Sequence, residues 1–435
     1  MMVQEGPIQL VCLTASSGVP LFTRGASRQL PFSIIGSLNG VHMFGSGQGV
    51  VLSSCETEEG GKVVWRIFQD SVMLIAVSGG HQAGSSKGER VHLQRLLENV
   101  WSSMVMVLGQ DELANVRNVE RLKKDLRSCF GLIDLLLEDQ QEGILGQLTH
   151  CADCLLPPQP AVLQEAVQGF AKAADSEFGC LLVHGRIVAA TEMWWRLAPQ
   201  EIVLLSALML SLSDSASASC DYPVFLPQGS PTVAHRLLCF RLLPGADVCV
   251  LCGPTPSLHG AESGLVGRFW SPLVDIVRDC LAIRERSLPA SVSLRPDVLA
   301  FLLINRENHR SICSVLPPLC AHPQGDPALP SKARCWELLK LFYIFCMTRY
   351  FKQEEVSPPT EEKEEGSHQG NTEDFVHGLS HQPLQCYLVT DECKSFGLQT
   401  SQHQLFLLLP PVVPTFALHT VATQTLSTIT TATAF

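Results

Sequence analysis

The sequence predicts an α+β fold made of three similar domains, each a five-stranded antiparallel sheet flanked by helices. A strand hairpin followed by a helix opens the chain over residues 8–44, and the same order returns near residues 179 and 297. One hairpin and one helix bury little apolar surface by themselves, so each copy has to pack into a larger unit. At 435 residues the chain is also too long for a single ordinary core.

The first domain is predicted over residues 1–156. Two apolar strand-like runs meet at Ser16-Ser17-Gly18, a sequence typical of hairpin turns. A helix follows, and Pro31 suits its first turn because a proline there loses no hydrogen bond. The apolar residues that recur at helical spacing and form one face of this helix are Ile34, Ile35, Leu38 and Val41.

Three strands complete the predicted first sheet, over residues 50–52, 63–68 and 71–77. Two helices follow, because apolar residues recur at helical spacing from Leu93 to Leu108 and again from Leu122 to Leu137. This order predicts a sheet with one helix on one face and a helix pair on the other. A short helix over residues 144–154 and a proline-rich boundary over residues 157–160 end the domain.

The second domain, residues 157–290, repeats the order after a linking helix. Its predicted elements are that linking helix (161–174), a hairpin (179–190), a helix (199–212), three strands (222–226, 234–243 and 247–252) and a closing helix (265–283). Trp194 and Trp195 end the hairpin and are interpreted as a recognition surface, since large aromatic residues are enriched in interface cores. Adjacent strand residues point to opposite faces, which predicts that one tryptophan is in the core and the other exposed.

The third domain, residues 291–435, is predicted to contain a hairpin (298–316), a helix (335–351) and strands over 385–389 and 403–409. The threonine-rich tail (415–435) is assigned as a helix, although its β-branched residues are poor helix formers. An acidic insertion, residues 353–382, holds too few apolar residues to fold and is predicted to be a disordered, solvated loop. The alternative is a docking motif for a basic partner.

Composition excludes several classes of function. The formal net charge of -11 argues against a general affinity for nucleic acid, which requires a basic surface. Six of the 17 cysteines lie inside apolar strand or helix runs, where free thiols behave as small hydrophobic groups: Cys12, Cys239, Cys249, Cys252, Cys313 and Cys346. No secretory signal opens the chain, and the longest apolar run, residues 202–212, is too short to cross a bilayer. We therefore expect a reduced, soluble, cytoplasmic protein.

Two C-x-x-C motifs raise the alternative of a zinc site. Cys151 and Cys154 form one pair, and Cys249 and Cys252 form the other. The second pair lies within a predicted strand, where residues three apart point to opposite faces and cannot converge on one ion. We therefore predict no metal and no cofactor. The usual phosphate-loop, metalloprotease and nucleophile-elbow motifs are also absent from the sequence, so we predict no enzymatic activity.

A second face of the first helix consists of the small residues Ser33, Gly36, Ser37 and Gly40. Two glycines inside a helix cost about 2 kcal/mol relative to alanine, so a compensating gain is expected. One interpretation is the close approach of another backbone, as in a protein interface. The alternatives are that the glycines let the helix lie tightly on its own sheet, or that the helix ends at Asn39-Gly40.

A basic cluster stands out on this acidic chain. Its members are Arg117, Arg121, Lys123, Lys124 and Arg127. One hypothesis is that Arg117, Arg121 and Lys124 contact an acidic GTPase surface or an anionic membrane. The alternative is the solvated face of a helix whose apolar residues point inward.

Six long segments resemble the Fuzzy family of planar-cell-polarity effectors. These segments are ASSGVPLF, LPFSIIGSLNGVHMF, VVWRIFQDSV, NVERLKKDLR, RIVAATEMWWRL and DYPVFLPQGSPTVAHRLL. The resemblance implies three longin domains, whose order of hairpin, helix, three strands and helix pair agrees with the order predicted above. In related longin complexes the first domains pair through their first helix and the following strand. The partner-binding residues expected on this basis are Ser33, Gly36, Ser37, Gly40, Phe44, Val50 and Leu52.

The resemblance further implies partners and a cellular role. The expected partners are an Inturned-like longin protein, other subunits of the planar-polarity effector complex and a Rab-family small GTPase whose nucleotide the pair exchanges. The expected role is in ciliogenesis and vesicle traffic, at the cytoskeleton and the basal body of the cilium. The alternative function is a longin-type adaptor or tether in membrane traffic that has no exchange activity.

Overall fold

The computed structural model describes residues 8–25, 30–58, 60–79, 86–137, 144–212, 217–316, 329–351 and 383–432. The predicted α+β fold is confirmed, because the described chain forms three mostly antiparallel sheets of five or six strands, each packed with helices. The acidic insertion 353–382 lies outside the described residues, so its predicted disorder stays a prediction. No described helix combines the length and the apolarity that a membrane crossing requires.

The first domain begins with the predicted hairpin and helix. These are β1 (Ile8–Thr14), β2 (Pro20–Gly25) and α1 (Phe32–Gly47). The sheet is completed by β3 (Ser54–Glu56), β4 (Lys62–Phe68) and β5 (Val72–Ser78). The helices that follow are α2 (Ser86–Leu108), α3 (Gln110–Ala114), α4 (Val119–Asp125) and α5 (Phe130–Leu137). A 3-10 turn at Leu126–Cys129 joins α4 to α5.

The strand predicted over residues 50–52 is wrong. The edge strand β3 starts at Ser54, which pairs with Val64 of β4. Since α1 extends to Gly47, residues 50–53 are needed to carry the chain from the helix end to the edge of the sheet. Val50 and Val51 consequently lie exposed in this connection rather than in a strand.

The second domain follows a short helix and a short strand, α6 (Gly146–Thr149) and β6 (Ala152–Asp153). Its own elements, in order, are α7 (Pro160–Ala173), β7 (Phe178–Val183), β8 (Arg186–Ala190), α8 (Glu192–Trp195), α9 (Pro199–Leu212), β9 (Ser219–Leu226), β10 (Ser230–Leu243), β11 (Ala246–Cys252), α10 (Leu258–Ala261), α11 (Gly267–Trp270) and α12 (Val274–Ile283). The single closing helix predicted over residues 265–283 is wrong. A π turn at Glu262–Val266 leads into α11, and a 3-10 turn at Ser271–Leu273, where Pro272 has no N–H to continue the helix, separates α11 from α12.

The third domain contains β12 (Ala300–Asn305), β13 (Arg310–Val315), α13 (Lys332–Arg349), β14 (Gln385–Val389), β15 (Lys394–Gln399), β16 (His403–Leu409) and α14 (Leu418–Ala432). The helical assignment of the threonine-rich tail is confirmed by α14. Strand β15 was not predicted, because its lysine and glycine interrupt the pattern of a strand. Tertiary pairing on both sides, with β14 and β16, overrides that weak local preference.

The three sheets share one strand order. The first sheet runs β2-β1-β5-β4-β3, and the second repeats it as β8-β7-β11-β10-β9. The third runs β13-β12-β16-β15-β14 in the same sense, and β6 extends it as a sixth strand parallel to β13. The predicted threefold repeat is therefore a repeat of topology, in which the last strand of each domain lies beside its first.

Helices cover both faces of the first sheet, as predicted. Alternate residues of β1, β4 and β5 pack beneath α1 around Ile35 and Trp65. The other face packs against α2 and α5 around Leu97 and Ile133. This second core continues without a break into the second domain, where it includes Leu204 of α9.

The first domain covers the equivalent helices of the other two domains. The helix that follows the hairpin in the second domain, α9, packs against α5, and its counterpart in the third domain, α13, contacts α2. Eight residues of α9 and seven of α13 are buried. In α1, which occupies the same place in the first domain, only Ile35 and His42 are buried.

The segment between the first two domains contributes to the third. Leu145, Leu148 and Cys151 belong to the third domain's core. The buried carboxylate of Asp153 accepts hydrogen bonds from the Gly146 N–H at 2.7 Å and from the Ser311 hydroxyl at 3.3 Å. This segment therefore connects the first two domains and also packs against the third.

Candidate docking surface on the first helix

The inward side of α1 is held to the sheet by specific contacts. Ile35 is buried, and the Trp65 indole N–H donates a hydrogen bond to the Leu38 carbonyl at 3.2 Å. Asn39 fills the space over the hairpin turn, where a Cβ on Gly18 would lie 2.1 Å from its Nδ2 atom. Gly18 has φ +64°, so the turn and the helix both require a residue without a side chain there. The orientation of α1 is therefore fixed by the residues beneath it.

The outward side of α1 and the connection after it form an exposed apolar surface, which we call the α1 surface. Its large members are Phe32, Ile34, Val41, Met43, Phe44, Val50 and Val51. Phe32 is 75% exposed, Phe44 is 72% exposed and Val51 is 83% exposed. Burying such a side chain typically gains about 1.5–3 kcal/mol, so leaving several adjacent ones in water forgoes a large stabilisation. Contiguous apolar patches of this kind mark sites of protein or membrane interaction.

The small residues of α1 lie on this same exposed side. Ser33, Gly36, Ser37 and Gly40 are all exposed. A Cβ added to Gly36 or Gly40 would meet no atom of the described residues within 4 Å. The interpretation that these glycines let α1 lie tightly on its own sheet is therefore wrong. The helix-end interpretation is also wrong, because α1 continues to Gly47.

The apolar face predicted for α1 is only partly correct. Ile35 and Leu38 point toward the sheet, but Ile34 is 43% exposed and Val41 is 55% exposed. The true inward row is Ile35, Leu38, Asn39 and His42, which has helical spacing. Two of these four residues are polar, so the inward row lacks the apolar pattern of a core-facing helix side. The exposed apolar residues Ile34 and Val41 produce that pattern instead, on a side that does not face the core.

Edge strand β3 borders the α1 surface. Among the described strands it is the last in its sheet and pairs on one side only, with β4. Val50 is 60% exposed, whereas Leu52 is half-buried against the core beneath α1. Six of the seven residues predicted to bind a partner are thus exposed together on one side of the domain. Sequence reasoning missed Phe32, Met43 and Val51, although the all-round apolar character of the helix was a usable signal.

The basic cluster lies on α4 and the turns beside it. Arg121 is 4.0 Å from Glu112 and 3.5 Å from Asp125, and Lys123 is 2.8 Å from Glu120. Leu122, Leu126 and Cys129, by contrast, point into the core. This is the geometry of a solvated helix face with interleaved charges, and its acidic members reduce the attraction for an anionic partner. Arg117, Lys124 and Arg127 are also exposed.

The four cysteines of the C-x-x-C motifs are buried and do not converge. Cys249 and Cys252 point into different cores on the two faces of the second sheet, as the strand geometry predicted. Cys151 and Cys154 likewise lie in different cores of the third domain, and burial raises the pKa of each thiol to about 12. Within the described part of the chain, no group of three or more His, Cys, Asp or Glu side chains is placed to hold a metal ion.

The tryptophan pair lies in the short helix α8 rather than in a strand. Trp194 is fully buried, while Trp195 is half-buried beneath Arg310, whose Cζ atom lies 3.8 Å from the centre of a Trp195 ring. The prediction of one core tryptophan is correct, but the reason given for it is not. Trp195 joins the second domain to the third, which leaves little of it for an external partner.

Comparison with known proteins agrees with this architecture. Models for the first, second and third "Longin domain of FUZ, MON1 and HPS1" match residues 8–136, 174–271 and 297–433. "Protein fuzzy homolog" of Xenopus tropicalis is 47% identical over 434 residues, covering 98% of this chain and 99% of the relative. The Homo sapiens protein of the same name is 45% identical over 437 residues and covers 98% of both chains. The chain therefore belongs to the Fuzzy family of proteins with three longin domains.

Proposed function

We propose that this chain is a non-catalytic scaffold subunit that pairs with an Inturned-like longin protein through the α1 surface and edge strand β3. The observation that carries the proposal is the contrast between α1 and its counterparts. The first domain covers α9 and α13, whereas the outward side of α1 stays apolar and exposed. An apolar helix in that position is what a partner's surface would cover.

The composition of the surface suits a close helix contact. Gly36 and Gly40 let a partner's backbone approach α1 closely, and the neighbouring Phe32 and Phe44 provide apolar area for burial. The unpaired edge of β3 offers backbone groups to which a partner strand can add. Pairing of first domains through the first helix and the following strand, as in related longin complexes, would use these same features.

We further propose that the pair acts as a nucleotide-exchange factor for a Rab-family GTPase within a ciliary planar-polarity complex. An exchange factor favours the nucleotide-free GTPase by binding it more tightly than the nucleotide-bound form. That activity needs no nucleophile, general base or metal from this chain. In the cell it would support ciliogenesis and vesicle traffic from the cytoplasm, the cytoskeleton and the basal body.

Substitution of matched valines tests the docking surface. Val50 and Val233 are each 60% exposed, but Val50 borders α1 while Val233 lies on β10 of the second domain. We expect Val50→Asp to weaken binding of the Inturned-like partner by about tenfold or more, because a buried, unpaired carboxylate costs more than about 1.4 kcal/mol. Val233→Asp should bind like the unsubstituted chain, as measured by calorimetry. Equal affinities for the two variants would refute the α1 surface as the interface.

The rate at which the GTPase releases a fluorescent nucleotide distinguishes the exchange-factor function from the adaptor function. The GTPase is mixed with this chain, with the partner, or with both. Acceleration only in the mixture of both supports the proposed exchange factor, and Val50→Asp should then abolish it. If no mixture accelerates release while the pair still forms, the adaptor or tether becomes the better description.

A further inference from the structure

Two thiols of the third domain lie in direct contact. The Sγ atoms of Cys346, near the end of α13, and Cys386, in the edge strand β14, are 3.1 Å apart. A disulfide bond is about 2.05 Å long, so closure needs an approach of roughly 1 Å. The two residues come from elements on either side of residues 352–382, which makes their contact a product of tertiary folding.

The neighbouring strand leaves room for both sulfur atoms. Gly397 of β15 is the direct partner of Cys386 in the strand register. A Cβ at position 397 would lie 3.1 Å from the Cys386 Sγ and 3.5 Å from the Cys346 Sγ. Any side chain there would press on the pair, so the glycine provides the space in which the two thiols meet.

The two cysteines differ in access and in acidity. Cys346 is fully buried, whereas Cys386 is half-buried on the edge strand. A hydrogen bond from the Cys346 thiol lowers the pKa of Cys386, and a hydrogen bond from the Gly397 backbone lowers it further. Burial raises the pKa of Cys346. The more accessible thiol is thus also the one that more readily becomes the reactive thiolate.

We propose that Cys346 and Cys386 form a reversible disulfide when the protein meets a peroxide. The Cys386 thiolate attacks one peroxide oxygen and becomes a sulfenic acid, while the second oxygen leaves as hydroxide and takes up a proton to give water. The Cys346 sulfur then attacks the Cys386 sulfur, and its proton leaves with the displaced hydroxide as a second water. Two thiols and one hydrogen peroxide yield one disulfide and two waters, and an added dithiol reverses the oxidation.

The bond would fasten the end of α13 to the edge of the third sheet. It would close a loop between residues 40 positions apart in the sequence. Cross-links over loops of this length restrict the unfolded chain, so the oxidised protein should melt at a higher temperature than the reduced one.

Peroxide titration of the full-length folded chain tests the proposal without any substitution. After alkylation of the remaining thiols, we expect two fewer alkylated cysteines, an intact mass about 2 Da lower once the mass of the alkyl adducts is subtracted, and a cross-linked peptide pair containing Cys346 and Cys386. Dithiothreitol should reverse all three. Oxidation of the exposed Cys55 without any Cys346–Cys386 link, or a link that forms only in urea, would overturn the proposal.

Variants separate the two roles. Cys346→Ala should leave the Cys386 sulfenic acid without its partner, so that dimedone labels Cys386, whereas Cys386→Ala should leave Cys346 unlabelled. Cys55→Ser is the matched control and should form the disulfide at the rate of the unsubstituted chain. Dimedone labelling of Cys346 in place of Cys386 would contradict the assigned order of attack.

Discussion

Gly36 and Gly40 lower the stability of α1, and no packing contact within the described chain offsets that loss. Each lies within α1, and a side chain at either position would point into open solvent. Glycine in a helix interior costs about 1 kcal/mol relative to alanine or leucine. We therefore expect Gly36→Leu and Gly40→Leu each to raise the free energy of unfolding by up to about 1 kcal/mol, as measured by denaturant titration.

The same two substitutions should abolish partner binding. A leucine on this side of α1 would hold a partner helix away from the backbone, so the variant would be more stable and yet inactive in binding. Gly131→Leu on α5 is a suitable control, since that glycine also has nothing within 4 Å and lies away from α1. A Gly36→Leu protein that folds normally and binds its partner at full strength would remove the glycines from the interface.

His150 gives a prediction about pH. Burial, with a further contribution from the nearby charge of Arg95, lowers its pKa to about 4, and its Nε2 atom is buried without a hydrogen-bond partner among the described residues. The unfolded chain binds this proton near pH 6.5, whereas the folded chain does so only near pH 4. Stability should therefore fall as pH drops through this window, by about 1 kcal/mol at about pH 5.5.

The variant His150→Asn isolates this contribution. Asparagine tolerates the left-handed backbone conformation at this position, where φ is +57°, but does not titrate. Melting temperatures measured between about pH 7.5 and about pH 5 should decline less for His150→Asn than for the unsubstituted chain. Parallel declines would show that the pKa of His150 is not depressed in the folded protein.

Among the elements, α4 allows the basic-cluster hypothesis to be tested. Its apolar residues face the core and its bases alternate with acids, so we expect the double variant Arg121→Glu, Lys124→Glu to bind anionic vesicles and the GTPase as the unsubstituted chain does. Vesicle flotation and GTPase pull-down provide the measurement. A loss of either interaction would establish α4 as a contact surface. Lys172→Glu, at the end of α7 in the second domain, reproduces half of this change in net charge away from α4 and serves as the control for charge.

For the whole molecule, the shared cores predict cooperative unfolding. The core between α2, α5 and α9 belongs to the first and second domains at once, so neither can lose it alone. Calorimetry should show the first two domains melting in one transition. A fragment that ends at residue 137 should aggregate, since removal of the second domain exposes the apolar side of α5. Two resolved transitions for these domains would contradict the shared core.

The predictable part of the fold was the part set by local pattern. Helix α9 and strands β14 and β16 have the predicted bounds, because each is an apolar run whose ends are marked by proline or polar residues and whose length suits its element. Strand β6 was not predicted because its pairing with β13, more than 150 residues away, makes it a strand, and β15 was not predicted because pairing on both sides overrides its weak local preference. On α1, the small residues were found, but the inward row was misread because Asn39 and His42 occupy core-facing positions.

The spacing of apolar residues along the chain is sufficient to predict that three units of one type recur, since it sets the alternation of strands and helices. The sequence also identified the first helix as the one with an unusual small-residue face. Which helix remains uncovered depends on packing between the domains: α1, α9 and α13 are all apolar, but the first domain packs over α9 and α13. The spacing of apolar residues predicts that one side of a helix is apolar. The element that packs against that side lies far away in the chain, so local spacing does not predict it.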